Sequence, residues 1–164
     1  MANIDDFKAK LAGGGARPNL FKVICNFPAD AQGDAELASF LIKGAALPAS
    51  VMAPIEVPYR GRKLKIAGDR TFEPWTITVI NDTGFATRNA FERWMNSINE
   101  HVANVGIANP NDYQTDMTVQ QLDKDDAVIK QIEFRGVFPT NISQIELNYE
   151  TNDTIEEYTV ELQY

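Results

Sequence analysis

Tyr158-Thr159-Val160-Glu161-Leu162-Gln163-Tyr164 alternates apolar and polar residues without a break. A period of two puts Tyr158, Val160, Leu162 and Tyr164 on one face of a strand and Thr159, Glu161 and Gln163 on the other. That is the pattern of an antiparallel sheet with one face buried and one wet. Two upstream stretches repeat it. In Tyr113–Leu122 the apolar side is Tyr113, Met117 and Val119, against Gln114, Asp116, Thr118 and Gln120. In Val128–Phe138 it is Val128, Ile132, Phe134 and Phe138, against Gln131, Glu133 and Arg135. Trp75-Thr76-Ile77-Thr78-Val79-Ile80 reads as another strand, as does Leu20–Phe27, which is stopped by Pro28.

Between these strands lie a helix and a hairpin. Phe91, Trp94, Met95 and Ile98 recur at i, i+3, i+4 and i+7, which predicts one helix over about 84–100 with a single apolar stripe packed on a sheet. Asn81-Asp82-Thr83-Gly84 precedes it and supplies an N-cap. Glu36–Ala46 is a further apolar run, ended by Leu47-Pro48. Over about 49–68, Val51, Met52, Ile55 and Val57 lead into a basic turn, Tyr59-Arg60-Gly61-Arg62-Lys63, followed by Leu64-Lys65-Ile66. Pro54 and Pro58 cannot donate ladder hydrogen bonds, so this hairpin lies at an edge or projects from the body. Roughly seven or eight strands with one flanking helix imply a mainly β fold, two antiparallel sheets packed as a sandwich or barrel.

The 164 residues suffice for a single domain, and 44% apolar with 23% charged residues is a globular composition. Residues 1–16 end in Gly13-Gly14-Gly15 and read as a flexible N-terminal arm. Met1–Lys10 has no apolar core, so no secretory signal is expected, and no run is long enough for a membrane span. The one cysteine, Cys25, sits in an apolar strand and is expected to pack as a small hydrophobe in a reducing cytoplasm.

The net charge of -8 is unevenly placed. Residues 1–82 hold ten Lys and Arg against nine Asp and Glu, whereas residues 83–164 hold five against 14. Such a chain is not built to grip nucleic acid, because phosphate binding relies on basic side chains that displace counterions. Catalytic chemistry is also unsupported. His101 is the sole imidazole and Cys25 the sole thiol, too few for a zinc site or a nucleophile–base pair. Asp123-Lys124-Asp125-Asp126 lacks the glycine and the distant Glu of a calcium loop. Glu156 and Glu157 are neighbours on a strand and point to opposite faces. No catalytic residue, metal or cofactor is expected.

Ala16-Arg17-Pro18-Asn19-Leu20-Phe21, Ala45-Ala46-Leu47-Pro48-Ala49, Ala67-Gly68-Asp69-Arg70-Thr71-Phe72 with Trp75, the helix with Phe91 and Trp94, and Gly136-Val137-Phe138-Pro139-Thr140-Asn141 stand in one order along the chain. Together, from about residue 16 to the C-terminus, they resemble the tail tube proteins of contractile-tailed bacteriophages. The resemblance implies a structural protein of the virion tail, assembled in the host cytoplasm. Hexameric rings would stack into a hollow tube inside a contractile sheath, with baseplate and tail terminator proteins as further partners. The tape-measure protein and the genome would pass through the lumen. Tubes of type VI secretion and related contractile injection devices are similar, so the alternative is a tube that carries protein effectors.

Two residue sets take roles on this reading. The hairpin, with Val51, Ile55, Tyr59, Arg60, Arg62, Lys63 and Lys65, is expected to dock on the acidic surface of the adjacent ring by charge complementarity. Asp116, Glu133, Glu157 and Glu161, chosen by alternation, are expected to line the lumen and keep DNA from adhering to it.

Overall fold

A computed structural model describes residues 3–164, so Met1 and Ala2, part of the expected flexible arm, lie outside the described residues. The chain order is α1 (Ile4–Lys10), β1 (Phe21–Ile24), α2 (Ala35–Leu41), β2 (Ile42–Ala45), β3 (Ser50–Tyr59), β4 (Arg62–Phe72), β5 (Trp75–Ile80), α3 (Ala86–Ile98), α4 (Pro110–Tyr113), β6 (Thr115–Leu122), β7 (Val128–Ile142) and β8 (Glu157–Gln163). Six strands pair in the order β1-β6-β7-β8-β5-β2, and β3 with β4 forms a separate two-stranded sheet. All pairings are antiparallel.

The long strand β7 joins the two halves of the six-stranded arrangement. Its first part pairs with β6 and its last part, from Phe138, with β8. Between them the register slips at Gly136, whose φ is +65°, a conformation that glycine adopts without Cβ strain. Asp116, opposite the slip, accepts a hydrogen bond from the Gly136 N–H at 3.1 Å. Its side chain therefore does a structural job at the bulge where β7 changes partners.

Alternation decides which residues go inside. Trp75, Ile77 and Val79 of β5 are buried, as are Tyr158, Val160 and Leu162 of β8, Met117 and Val119 of β6, and Phe134 and Val137 of β7. Trp75 stacks on Phe134 with centroids 4.1 Å apart, and its indole N–H donates to the Ala46 carbonyl at 2.7 Å. Cys25 is fully buried beside Met117.

The helix α3 closes one side of this core. Phe91 and Trp94 are fully buried against Phe27, and Ile98 packs on the core from its last turn. The stripe differs from the expected one at Met95, which is only half-buried. Thr87 and Ala90 are buried instead and extend the stripe of Phe91 and Trp94 toward the N-terminal end of the helix. Asp82 caps the helix from outside, accepting from the Ala86 N–H at 3.1 Å and the Thr87 N–H at 3.5 Å. The Trp94 indole donates to the Tyr113 carbonyl at 2.7 Å and ties α3 to the end of α4.

The apolar run Glu36–Ala46 divides into two elements. Asp34 accepts from the Glu36 and Leu37 N–H groups at 3.0 and 3.1 Å and starts α2, which gives way directly to β2 at Ile42. Side-chain capping by one aspartate turns what reads as a uniform apolar stretch into a helix followed by an edge strand. The N-terminal segment also carries structure. Its α1 helix buries no residue, and Gly13, Gly14 and Gly15 all have positive φ.

Candidate assembly surfaces

The β3–β4 hairpin leaves the body between Ala46 and Trp75, and the 2.7 Å bond between those two residues clamps both of its ends at one point. Its tip is a two-residue turn, Arg60-Gly61, with φ of +45° and +83°. Positive φ at both positions gives the turn the twist of the flanking strands. Near the root, Gly68 faces the Ala53 carbonyl, which a Cβ would overlap, and the register slips there between Met52 and Pro54. The glycine of Ala67-Gly68-Asp69 is thus required by the close approach of a neighbouring backbone.

Every residue of β3 is exposed, and all of β4 except Gly68. Register sorts the side chains into two faces. Ile55 opposes Ile66, Val57 opposes Leu64 and Tyr59 opposes Arg62, which makes one apolar face. Glu56 opposes Lys65 and Pro58 opposes Lys63 on the other. Lys63 pairs with Glu56 at 2.6 Å, and the Arg60 guanidinium lies 5.4 Å from the Tyr59 ring centre. Arg62, Lys65 and Arg70 have no ion-pair partner among the described residues. Val51 lies beyond the slip, opposite Thr71. The hairpin is therefore two-faced along its length, where sequence suggested an apolar stem with a basic tip. Pro54 and Pro58 fall at alternate positions whose N–H would point away from β4, which leaves the outer edge of β3 a poor template for strand addition.

The four candidate acidic residues all lie on the wet side of their strands. Asp116, Glu133 and Glu157 are exposed and Glu161 is half-buried. They do not form one cluster of free carboxylates. Asp116 serves the β7 bulge, Glu133 pairs with Arg135 at 3.3 Å, and Glu157 pairs with Lys43 at 2.6 Å. Apart from these cations, several of their neighbours on that side are uncharged and polar. Thr118 opposes Glu133, Thr76 opposes Glu161, Thr78 opposes Thr159, and Gln120 bonds Gln131 across the β6–β7 pair.

Sequence reading passed over one surface. Residues 144–156, between β7 and β8, form an arch of irregular chain over a half-open hollow of about 880 Å³. Leu147, Tyr149 and Ile155 are exposed on it, at 82%, 107% and 72%. From 144 to 157 the chain holds Glu146, Glu150, Asp153, Glu156 and Glu157 and no basic residue. The signal was there as charge bias, but without strand or helix periodicity nothing marked the apolar residues as unburied.

A family model described as phage tail tube protein matches residues 16–164. The chain belongs to the phage tail tube protein family. It is similar to tail tube protein gp19 of Enterobacteria phage T4, with 34% identity over 97% of this chain and 95% of that one. A tail tube protein of Serratia phage KSP90 is 31% identical over all of this chain and 95% of that one. Among solved structures, a chain of the anti-feeding prophage baseplate superposes with a TM-score of 0.67 over 92% of this chain and 91% of that one, at 12% identity. At that identity the likeness shows a shared fold. Tail tube proteins are structural components of the virion tail and not enzymes, and this chain takes that role. No helix among the described residues is long and apolar enough to cross a membrane.

Proposed function

We propose that six copies of this chain close into a ring and that rings stack into a hollow tube, the conduit for genome delivery inside a contractile sheath. The exposed hairpin carries this reading. An apolar face built from Ile55, Val57, Leu64 and Ile66 is left in water by the isolated subunit, and a second copy is the natural cover for it. The sheet order leaves β1 and β2 at its two ends, where lateral neighbours would remove free edges. Sheath, baseplate and terminator proteins would contact the outside and the ends, while the tape-measure protein and DNA would pass within.

The strand face that carries Asp116, Glu133, Glu157 and Glu161 would form the wall of the lumen. Glu133 and Glu157 engage Arg135 and Lys43, which keeps these two cations from displacing counterions on a passing phosphate backbone. The named relatives above 30% identity are phage proteins, which favours DNA over protein effectors as the cargo.

Reversal of Arg60, Arg62 and Lys63 to Glu tests the stacking role. The variant should keep the wild-type circular dichroism spectrum and melting temperature, because the hairpin lies outside the core, yet give no tubes by negative-stain microscopy. Normal tubes from this variant would refute the reading.

A further inference from the structure

We propose that the 144–156 arch is the receptor for the hairpin of the next copy along the tube axis; this rests on the stacking role proposed above. The hairpin joins the body where Trp75 pairs with Leu162, and the arch leaves it where Ile80 pairs with Glu157. These are opposite ends of the β5–β8 pair, separated by roughly 17–20 Å at about 3.4 Å per residue. A protruding element at one end of a subunit and its receptor at the other make a heterologous head-to-tail contact, the kind that builds open filaments.

The two elements are also complementary in charge. Arg62, Lys65 and Arg70 of the hairpin have no ion-pair partner, and neither do Glu146, Glu150 and Asp153 of the arch, among the described residues. The remaining acids of the arch region are engaged at its base, Glu156 with the Asn81 amide and Glu157 with Lys43. The free carboxylates are thus those farthest from the body in sequence.

Both partners also expose apolar side chains, Ile55, Val57, Leu64 and Ile66 on one and Leu147, Tyr149 and Ile155 on the other. The arch is held at its base, by Ser143 bonded to Thr159, by Arg88 donating to the Ser143 carbonyl at 3.2 Å, and by the Asn81 backbone N–H and side-chain amide donating to Glu156. Beyond that, its hydrogen bonds among the described residues are those of one turn at Asn148. An open hollow lined by the arch's own side chains leaves room for an inserted tip.

The test is a charge swap. Glu146→Lys, Glu150→Lys and Asp153→Lys together should raise the protein concentration needed for tube formation at least about tenfold, as loss of a complementary charge set does. Combining them with Arg60→Glu, Arg62→Glu and Lys65→Glu should restore tubes at protein concentrations where neither triple variant alone forms them. A second measurement does not depend on affinity. Arg60→Cys with Glu150→Cys should give disulfide-linked ladders from oxidised tubes, with the buried Cys25 as a silent background. Tubes at wild-type concentration from the arch variant, or no ladder from tubes carrying the cysteine pair, would overturn the assignment while leaving hairpin stacking intact. Normal tubes from the hairpin variant would instead overturn the stacking role itself.

Discussion

Trp75→Phe should destabilise the subunit by about 2–3 kcal/mol and loosen the root of the hairpin. Trp75 is 2% exposed, stacks on Phe134 at 4.1 Å and donates its indole N–H to the Ala46 carbonyl at 2.7 Å. Phenylalanine keeps a ring over Phe134 but loses the donor. Ala46 is exposed, so water replaces the lost partner, and this step costs about 1 kcal/mol, near the low end for a broken hydrogen bond. The missing five-membered ring leaves a void beside Phe134 and Leu162, which adds about 1–2 kcal/mol. For a chain of this size each kcal/mol lowers the melting temperature by about 2–4 °C, so a drop of about 4–12 °C is expected. Thermal melts of unassembled subunits by far-ultraviolet circular dichroism read this directly. Limited trypsin digestion reads the second consequence, because cleavage after Arg60, Arg62 or Lys63 should accelerate once the root is unclamped. A variant that melts within about 1 °C of wild type and is cut at the same rate would show that the Trp75–Ala46 bond clamps nothing.

Other perturbations separate hairpin, helix and core. Gly68→Ala forces a methyl group against the Ala53 carbonyl, so the hairpin should be cut faster by trypsin and tubes should form poorly, with the body's melting temperature unchanged. Asp82→Ala removes the acceptor for the Ala86 and Thr87 N–H groups and should cost about 1 kcal/mol in denaturant unfolding, whereas Asp82→Asn should cost much less. Burial pushes the Cys25 thiol from its ordinary 9.0 up to about 12. The native protein should therefore resist thiol reagents at mild alkaline pH and react only when denatured. The same shift fixes a sign. Above pH 9 the unfolded chain releases a proton that the folded chain retains, so stability falls as pH rises toward 12, and Cys25→Ala should flatten that fall in denaturant titrations across the range.

Strand patterning was legible because one face of each strand is buried and the other wet. Trp75–Ile80 was legible as a strand, and the alternation in Tyr158–Tyr164 put Tyr158, Val160 and Leu162 on the inside of β8, where they are buried. The turn at Arg60-Gly61 and the prolines announced a hairpin that cannot be an interior strand pair. Capping, in contrast, is a matter of one side chain reaching a few backbone donors. Asp34 converts part of an apolar run into α2, and no period in that run distinguishes it from strand. Met95 sits at the right spacing for the α3 stripe, but the rotation of the helix is set by how Phe91 and Trp94 fit around Phe27.

The sequence by itself determined the mainly β class, the hairpin, the helix and the absence of the residue groups that catalysis or metal binding would need. These follow from local rules, in which each residue's role depends on neighbours two to four positions away. Only the tertiary structure decided that Asp116 holds the β7 bulge, that Glu133 and Glu157 are paired with cations, and that the basic hairpin and the acidic arch stand at opposite ends of one strand pair. Those relations join residues as much as 114 positions apart, and only strand pairing brings them together.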